Sequence, residues 1–143
     1  MLKNIPKIIS PELLKTLCEM GHGDEIVIAD GNFPAETFGN RVIRADGIGG
    51  AAMLEAVLSL IPLDTNSNPN MILMQLMDCD KGKINPVIWQ EYEKRAEKHD
   101  KNVRIGNIDR FAFYERAKTA YAVISTGENA VYANIILKKG VIE

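Results

Sequence analysis

Only two histidines occur in the sequence, and histidine is the side chain that most readily gains and loses a proton near neutral pH. His22 stands between two glycines in the segment GHGDE, after a predicted helix and just before a predicted strand. His99 stands in the charged run EKRAEKHDKN, which is typical of a solvated helix face. Loops at the ends of elements often carry function, and flanking glycines let a ligand approach the backbone. His22 is therefore the candidate acid or base, and a loop histidine that only satisfies the backbone is the alternative.

Carboxylates follow His22 and the predicted strands. Asp24 and Glu25 follow His22 after one glycine, and Asp30 ends the apolar run EIVIAD. Ligands of α/β sheets bind beyond the carboxyl ends of the strands, which is where Asp30 stands if its strand is parallel. An aspartate that only binds its own turn is the alternative. Asp46 follows the next predicted strand, RVIRA, in the same kind of position as Asp30. The alternative is that Asp46 only caps the next helix.

Two further segments carry side chains that can bind the hydroxyl groups of a ligand. In DRFAFYERA, Arg110 lies at the first turn of a predicted helix, and Tyr114 lies four residues later on the same face. The alternative is that the aromatic residues pack in the core while Arg110 is at the surface. Tyr132 and Asn134 flank Ala133 at the start of the last predicted strand, where they could equally satisfy a turn and pack.

Motifs for cofactors are weak or missing. Gly47, Gly49 and Ala52 spell G-x-G-x-x-A between a strand and a helix, which formally resembles a dinucleotide-binding loop. The acidic residue expected about 20 positions on is not clearly present, because Asp64 precedes the next strand and Asp78 follows it late. We interpret the glycines as a helix-opening turn. No pair of histidines has metal-ligand spacing, and no P-loop or nucleophile elbow occurs. We expect no cofactor and no metal.

Helical and strand-like patterns alternate along the chain. Ser10 and Pro11 suit the start of a first helix, Asp109 suits the cap of a later one, and Asn85-Pro86 is predicted to cap the helix between them. A helix is also predicted after the glycine motif, to about residue 61, and residues 31–40 are predicted to be a loop. The predicted strands are EIVIAD, RVIRA, MILMQLM, VRIGNI, AYAVIST and YANIILKK. This alternation favours an α/β domain with a mainly parallel sheet.

Composition narrows the function classes. The 143 residues suit a single domain spanning 1–143, and a net charge of -2 with a pI near 5.7 disfavours nucleic acid and anionic membrane surfaces as partners. Apolar stretches fall short of the roughly 20 residues of a membrane span, and we find no signal-peptide pattern. Cys18 and Cys79 are lone thiols, which favours a reducing compartment, the cytoplasm, and no disulfide. The residues alone fit either simple proton-transfer chemistry or a small-molecule binding module.

A set of segments carries a more specific signal. They are MGHGDEIVIAD, NFPA, IRADG, AMLEAVLSLIPLD, RFAFYERAK, the TGE turn, YAN and ILKKGV, and they occur in this order along nearly the whole chain. On these segments the sequence resembles the fucose-mutarotase branch of the RbsD/FucU family. The resemblance implies a three-layer α/β fold and an isomerase that interconverts the anomers of a free sugar, without a metal or a nucleotide.

The resemblance also implies roles for individual residues. His22 would be the proton donor. The sugar would be bound by Asp30, Arg110, Tyr114, Tyr132, Ala133 and Asn134. Family members form rings, often decamers, although dimers occur, and a neighbouring subunit commonly completes the site. Helix 110–121 and the C-terminal strand are the expected subunit contacts.

One departure concerns the substrate. Fucose-branch members often have glycine at the position of Ala133. Ribose-type members have alanine there, as this chain does. GHGDE, NFPA and RFAFYERA all belong to the fucose side, so we expect L-fucose to be the substrate. D-ribose pyranase activity of the same family, or a non-catalytic sugar-binding transport accessory, is the alternative.

Overall fold

One mixed sheet of six strands forms the centre of the molecule. The computed structural model describes all residues, 1–143. The strands are β1 (Glu25–Ala29), β2 (Val42–Ala45), β3 (Met71–Met74), β4 (Ile105–Ile108), β5 (Ala122–Thr126) and β6 (Ile135–Lys138). Their order across the sheet is β2-β5-β1-β6-β3-β4, and only β6 is antiparallel to its neighbours. The prediction of a mainly parallel sheet is confirmed.

Helices cover both faces of this sheet. They are α1 (Pro11–Glu19), α2 (Ala35–Phe38), α3 (Gly50–Leu58), α4 (Ile88–His99) and α5 (Arg110–Thr119). Helices α1, α3 and α4 pack on one face around a core of 24 buried residues, and α2 and α5 pack on the other face around a second core of 11. Side chains that alternate along each strand supply both cores, because successive residues of a strand point to opposite faces. The expected three-layer α/β architecture is confirmed.

The helix starts follow the capping residues in two of the three predicted cases. Ser10 Oγ accepts a hydrogen bond from the N–H of Leu13 at 3.1 Å and begins α1, and Asp109 Oδ1 accepts from two N–H groups of α5 at 3.0 Å each. The prediction for α4 is wrong, because Val87 occupies the N-cap position and no side chain caps the helix. The end of α1 is held by the Lys139 ammonium group, which donates to the carbonyls of residues 17 and 20.

The structure differs from the predictions at residues 31–40, at the end of α3, at the end of β3 and at the start of β6, which begins at Ile135 rather than at Tyr132. Residues 31–40, predicted as a loop, contain the single helical turn α2, whose Ala35 and Phe38 pack towards α5. Helix α3 ends at Leu58 rather than near residue 61. Strand β3 ends at Met74 rather than at residue 77, because its neighbour β6 begins only at Ile135 and offers no ladder further on.

Strand β6 lies in the middle of the sheet. It pairs with β1 on one side and with β3 on the other, so both of its edges are hydrogen-bonded within the chain. Three of its four residues are buried. The C-terminal strand therefore offers no free edge to another subunit, and its expected role as a subunit contact stays a prediction. No helix of the molecule combines the length and the apolar character that crossing a membrane requires. Cys18 and Cys79 are free thiols.

Candidate active site

The predicted site residues Asp30 and Asn134 meet at one edge of the sheet. Asp30 directly follows β1, and Asn134 directly precedes β6. Because these two strands are antiparallel neighbours, the end of one lies beside the beginning of the other. The N–H of Asp30 donates to Asn134 Oδ1 at 2.8 Å, and Asn134 Nδ2 donates to Asp30 Oδ2 at 3.0 Å. Both side chains are almost completely buried.

A cleft of about 170 Å³ opens above this pair. Its walls are formed by Asp30, Asn32, Phe33, Met74, Arg110, Tyr114, Val131, Tyr132 and Asn134. Five of the seven predicted site residues therefore lie together. They come from the ends of β1 and β6 and from the first two turns of α5, which follows β4 at the same edge. The arrangement agrees with the rule that ligands of α/β sheets bind beyond the carboxyl ends of parallel strands.

Burial perturbs the carboxyl group of Asp30. Burial raises the pKa of Asp30, and hydrogen bonds from the backbone N–H groups of Asn32, Ala133 and Phe33 and from the Asn134 amide oppose that rise in part. The Asn32 N–H donates to Oδ1 at 3.0 Å. A carboxylate with a raised pKa is a stronger proton acceptor than an exposed one. The position suits a group that accepts hydrogen bonds from ligand hydroxyls.

Arg110 and Tyr114 form one hydrogen-bonded unit on α5. Arg110 Nε donates to Tyr114 Oη at 2.7 Å, which raises the pKa of the arginine. The Tyr114 oxygen is thus an acceptor towards Arg110, so its own O–H is free to donate into the cleft. The Tyr114 ring stacks on Phe38 at 4.7 Å and meets the edge of Phe33 at 5.5 Å, which fixes its orientation. Phe111, on the same helix, is exposed.

Tyr132 has an unusual backbone conformation, and its hydroxyl group has two hydrogen-bond partners within the chain. Its φ is 59°, in the left-handed region that side chains other than glycine rarely adopt. Its hydroxyl donates to the carboxylate of Asp80 and accepts from the N–H of Met77 at 3.3 Å. Burial and the hydrogen bond to Asp80 raise the pKa of Tyr132. The ring is therefore held at the cleft from both ends.

Helix α4 supports this segment from behind the cleft. Trp89 Nε1 donates to the carbonyl of Tyr132 at 2.7 Å, and the buried Tyr92 Oη donates to the carbonyl of Ala133 at 3.0 Å. These two consecutive bonds stabilise the left-handed turn. Ala133 is itself 1% exposed and does not line the cleft. Its role as a sugar contact stays a prediction.

His22 lies at the opposite edge of the sheet. It precedes β1 while Asp30 follows it, and five residues at about 3.3 Å each place roughly 16 Å of strand between the two edges. Its Nε2 lies 3.1 Å from Asp64 Oδ1, and its side chain is 48% exposed. It lines an apolar groove of about 600 Å³ between α1 and residues 60–62 and 139–142. Within one chain, the structure does not bring His22 to the cleft.

The glycine motif opens α3, as predicted. Gly49 is the N-cap residue, and the N–H of Gly50 donates to Glu128 Oε2 at 3.0 Å. A side chain at Gly50 would place its Cβ 2.1 Å from Tyr92 Oη, so close packing explains this glycine. The helix end at which a dinucleotide loop would bind phosphate is occupied by a carboxylate of the same chain. Asp46 does not cap the helix but pairs with Arg44 at 2.5 Å.

Several residues of this region are not identified by the sequence patterns. Phe33, Met74 and Val131 form the apolar wall of the cleft. Asp80 and Trp89 hold Tyr132, and each is more than 40 residues from it in the sequence. The side chains form no group of three or more His, Cys, Asp or Glu that could hold a metal ion. Contacts so distant along the chain leave no local signal, apart from the polar residues that follow each apolar strand.

Comparisons with known proteins identify the family of the chain. A family model described as the RbsD / FucU transport protein family matches residues 3–142. The fucose mutarotase of Mus musculus is 50% identical over 99% of this chain and 95% of its own length. FucU from Bifidobacterium longum superposes with a TM-score of 0.94 at 52% identity, covering 99% of this chain and all of that chain. The fucose mutarotase of Streptococcus pneumoniae, solved in complex with L-fucose, superposes with a TM-score of 0.92 at 48% identity and the same coverage. The chain belongs to the RbsD/FucU family.

Proposed function

We propose that this protein is an isomerase, a mutarotase that interconverts the α and β anomers of L-fucose. The observation that carries the proposal is the cleft, in which five predicted sugar-binding residues meet at one edge of the sheet. Relatives of about 50% identity bear the name fucose mutarotase, and one similar structure was solved with L-fucose bound. The proposal therefore has support from the geometry of the site and from the relatives.

The reaction needs little machinery. The ring opens when the ring oxygen gains a proton, the anomeric hydroxyl loses one and the bond between the anomeric carbon and the ring oxygen breaks. Rotation about the adjacent carbon–carbon bond and the reverse steps give the other anomer. A positioned acid/base group contributes typically about 10² to 10⁴-fold to such proton transfers. The remaining task of the site is to hold the hydroxyl groups in place.

The cleft offers complementary partners for those hydroxyl groups. The Asp30 carboxylate accepts hydrogen bonds, while the Tyr114 hydroxyl and the unengaged N–H groups of Arg110 donate them. Tyr132, which already donates to Asp80, keeps a lone pair that can accept. Asn134 already forms hydrogen bonds with Asp30, and its main role is to orient that carboxylate. Donors and acceptors on both sides suit a polyhydroxylated ligand.

The apolar wall favours L-fucose over D-ribose. Phe33, Met74 and Val131 line the same cleft as the polar residues. L-fucose carries a methyl group on its ring, and D-ribose has none. Burying one methyl group in an apolar environment contributes about 0.8 kcal/mol. The difference is small, so we expect a preference for fucose rather than exclusion of ribose.

His22 is the proposed proton donor, and it has to come from another copy of the chain. The imidazole and the cleft lie at opposite edges of one sheet, and no bend in β1 brings them together. We propose a homo-oligomer in which His22 of one subunit faces the cleft of the next. A head-to-tail contact of this kind closes into a ring, and a ring decamer is our proposal for the assembly. We place it in the cytoplasm, where the free thiols of Cys18 and Cys79 stay reduced.

Exchange NMR tests the activity directly. Saturation transfer between the anomeric protons of L-fucose, and then of D-ribose, is measured with and without catalytic amounts of protein. We expect the protein to accelerate the anomeric exchange of both sugars, and that of L-fucose more than that of D-ribose. Acceleration for ribose alone would reassign the protein to the ribose-pyranase side. No acceleration for either sugar, with binding retained, would make it a non-catalytic sugar-binding protein.

Mixing two inactive variants tests the shared site. His22→Ala leaves the cleft intact, and Asp30→Asn leaves the imidazole intact. If each site takes one group from each of two neighbours, subunits mixed at equal amounts after dissociation recover about a quarter of the parental exchange rate. Light scattering on the same samples gives the number of subunits. No recovery in a mixed oligomer would contradict the shared site.

A further inference from the structure

Asp64 is the one residue that forms a hydrogen bond with the imidazole of His22. Nε2 of His22 lies 3.1 Å from Asp64 Oδ1, across 42 residues of sequence. Nδ1 has no hydrogen-bond partner in the chain. The imidazole is half exposed, whereas the Asp64 side chain is 5% exposed. The pair therefore has a buried, anionic end and an accessible, aromatic end.

The carboxylate of Asp64 is fixed by other contacts. Ser67 Oγ donates to Oδ2 at 2.6 Å, and the N–H of Asn66 donates to Oδ1 at 3.1 Å. Its own N–H donates to the carbonyl of Lys138 at 2.9 Å, which ties it to the end of β6. The hydrogen bonds from Ser67, His22 and Asn66 lower the pKa of Asp64 to about 2. At neutral pH it is a preorganised carboxylate that can only accept hydrogen bonds.

A pure acceptor beside one ring nitrogen decides where the imidazole carries its proton. Neutral histidine has one N–H and one lone pair, and the N–H faces the acceptor. We propose that Asp64 is a positioning residue for His22: it holds the proton on Nε2, fixes the ring, and leaves Nδ1 as the atom that exchanges a proton with the sugar. When Nδ1 takes a proton, the Asp64 carboxylate stabilises the resulting imidazolium. The inference rests on the proposed function and deepens it.

A purely structural role for Asp64 has to be separated from this one. The residue also closes the turn 64–67, so its removal could act through the loop alone. Asp64→Asn separates the two roles, because it retains the hydrogen bonds of the turn. Its amide oxygen can still accept from Asn66 and His22, while its amide nitrogen donates to Ser67 Oγ. The shape of the turn is retained and the negative charge is lost. Arg104→Ala is the matched control, since Arg104 Nη1 donates to the carbonyls of residues 65 and 67 in this turn and makes no hydrogen bond to the Asp64 carboxylate.

NMR of the imidazole and exchange kinetics provide the test. In the parent protein we expect His22 to show a protonated Nε2 with a downfield, slowly exchanging proton, and an unprotonated Nδ1. In Asp64→Asn that proton moves upfield and exchanges faster. The maximal rate of L-fucose anomer exchange falls about 10 to 100-fold, a part of the 10² to 10⁴-fold that acid/base catalysis contributes, and KM stays the same. Arg104→Ala keeps the signal and the rate.

The outcomes separate this inference from the proposed function. A parent protein whose neutral His22 carries its proton on Nδ1 would overturn the inference without any variant. An Asp64→Asn protein with an unchanged maximal rate, beside an inactive His22→Ala protein, would overturn it as well and leave the proposed function intact. A His22→Ala protein that still exchanges anomers at the parental rate would instead remove the proposed role of His22.

Discussion

Asn134 and Asp30 join the end of β1 to the beginning of β6 through two reciprocal hydrogen bonds, of 2.8 and 3.0 Å. The same amide that completes the backbone pairing of Asp30 orients its carboxyl group towards the cleft. We therefore expect both stability and ligand binding to depend on this one buried side chain. The two effects can be measured separately, because unfolding reports the backbone contact and sugar exchange reports the carboxyl group.

Replacement of Asn134 by alanine should reduce both the stability of the fold and the activity. It leaves a buried N–H and a buried carboxylate oxygen of Asp30 without their partner, which costs about 1–3 kcal/mol. Urea unfolding measures this loss, and L-fucose exchange measures the activity. Asn107→Ala is the control, since that asparagine is exposed in β4. An Asn134→Ala protein as stable as the control would show that the reciprocal bonds contribute nothing.

The hydroxyl of Tyr114 should act in binding rather than in stability. Tyr114→Phe keeps the stacked ring and removes the acceptor of Arg110 and the donor to the sugar. We expect a several-fold rise in KM for L-fucose and a change in unfolding free energy within about 0.5 kcal/mol, since the pair is at the surface. Tyr121→Phe, whose hydroxyl contacts Glu19 away from the cleft, is the control and should leave KM unchanged. Equal kinetics for the two variants would contradict the sugar-binding role.

Two glycines that follow strands, Gly127 after β5 and Gly47 after β2, should respond differently to alanine. At Gly127 a Cβ would lie 1.8 Å from the carbonyl oxygen of Asp46, so the backbone has to move. At Gly47 nothing lies within 4 Å of the same added atom. We expect Gly127→Ala to lose about 1–3 kcal/mol or more by overpacking and Gly47→Ala to be close to neutral. Thermal unfolding of both variants measures the contrast, and a stable Gly127→Ala protein would contradict the close backbone approach.

Acid should destabilise the fold in part through Asp64. Its pKa is about 2 in the folded chain and 3.8 as its ordinary value, so its contribution to stability is complete above about pH 4 and is lost as the pH falls towards 2. The Tm of the parent should therefore fall more steeply over this interval than the Tm of Asp64→Asn. Parallel curves for the two proteins would contradict the lowered pKa. Asp30 acts in the opposite direction, because its raised pKa reduces stability as the pH rises through it.

Much of the fold follows from patterns that are local in the sequence. The apolar runs predict all six strands, and Ser10 and Asp109 predict two helix starts, because capping and strand burial depend on near neighbours. The position of Asp30 at a ligand-binding edge follows from the run EIVIAD and the rule for parallel strands. The other cleft residues are predicted mainly by the resemblance of whole segments to a family.

Long-range features could not be predicted in the same way. Nothing in YANIILKK indicates that β6 is antiparallel and central, because an apolar run specifies burial and leaves the order of strands open. The separation of His22 from the cleft becomes visible only when β1 is placed between them. The pairing of His22 with Asp64 joins positions 42 residues apart, and no spacing rule links a loop histidine to such a partner.

The central place of β6 also bears on how the chain is made. Ile135–Lys138 is the last strand of the chain to be synthesised, and until it is in place no strand joins β2-β5-β1 to β3-β4. Each half then exposes a fully apolar strand edge, at Ile26–Ala29 and at Met71–Met74, to which strands of other nascent chains can add. Protection from aggregation during synthesis thus depends on the arrival of four residues, and a chaperone that shields strand edges should matter most just before they emerge.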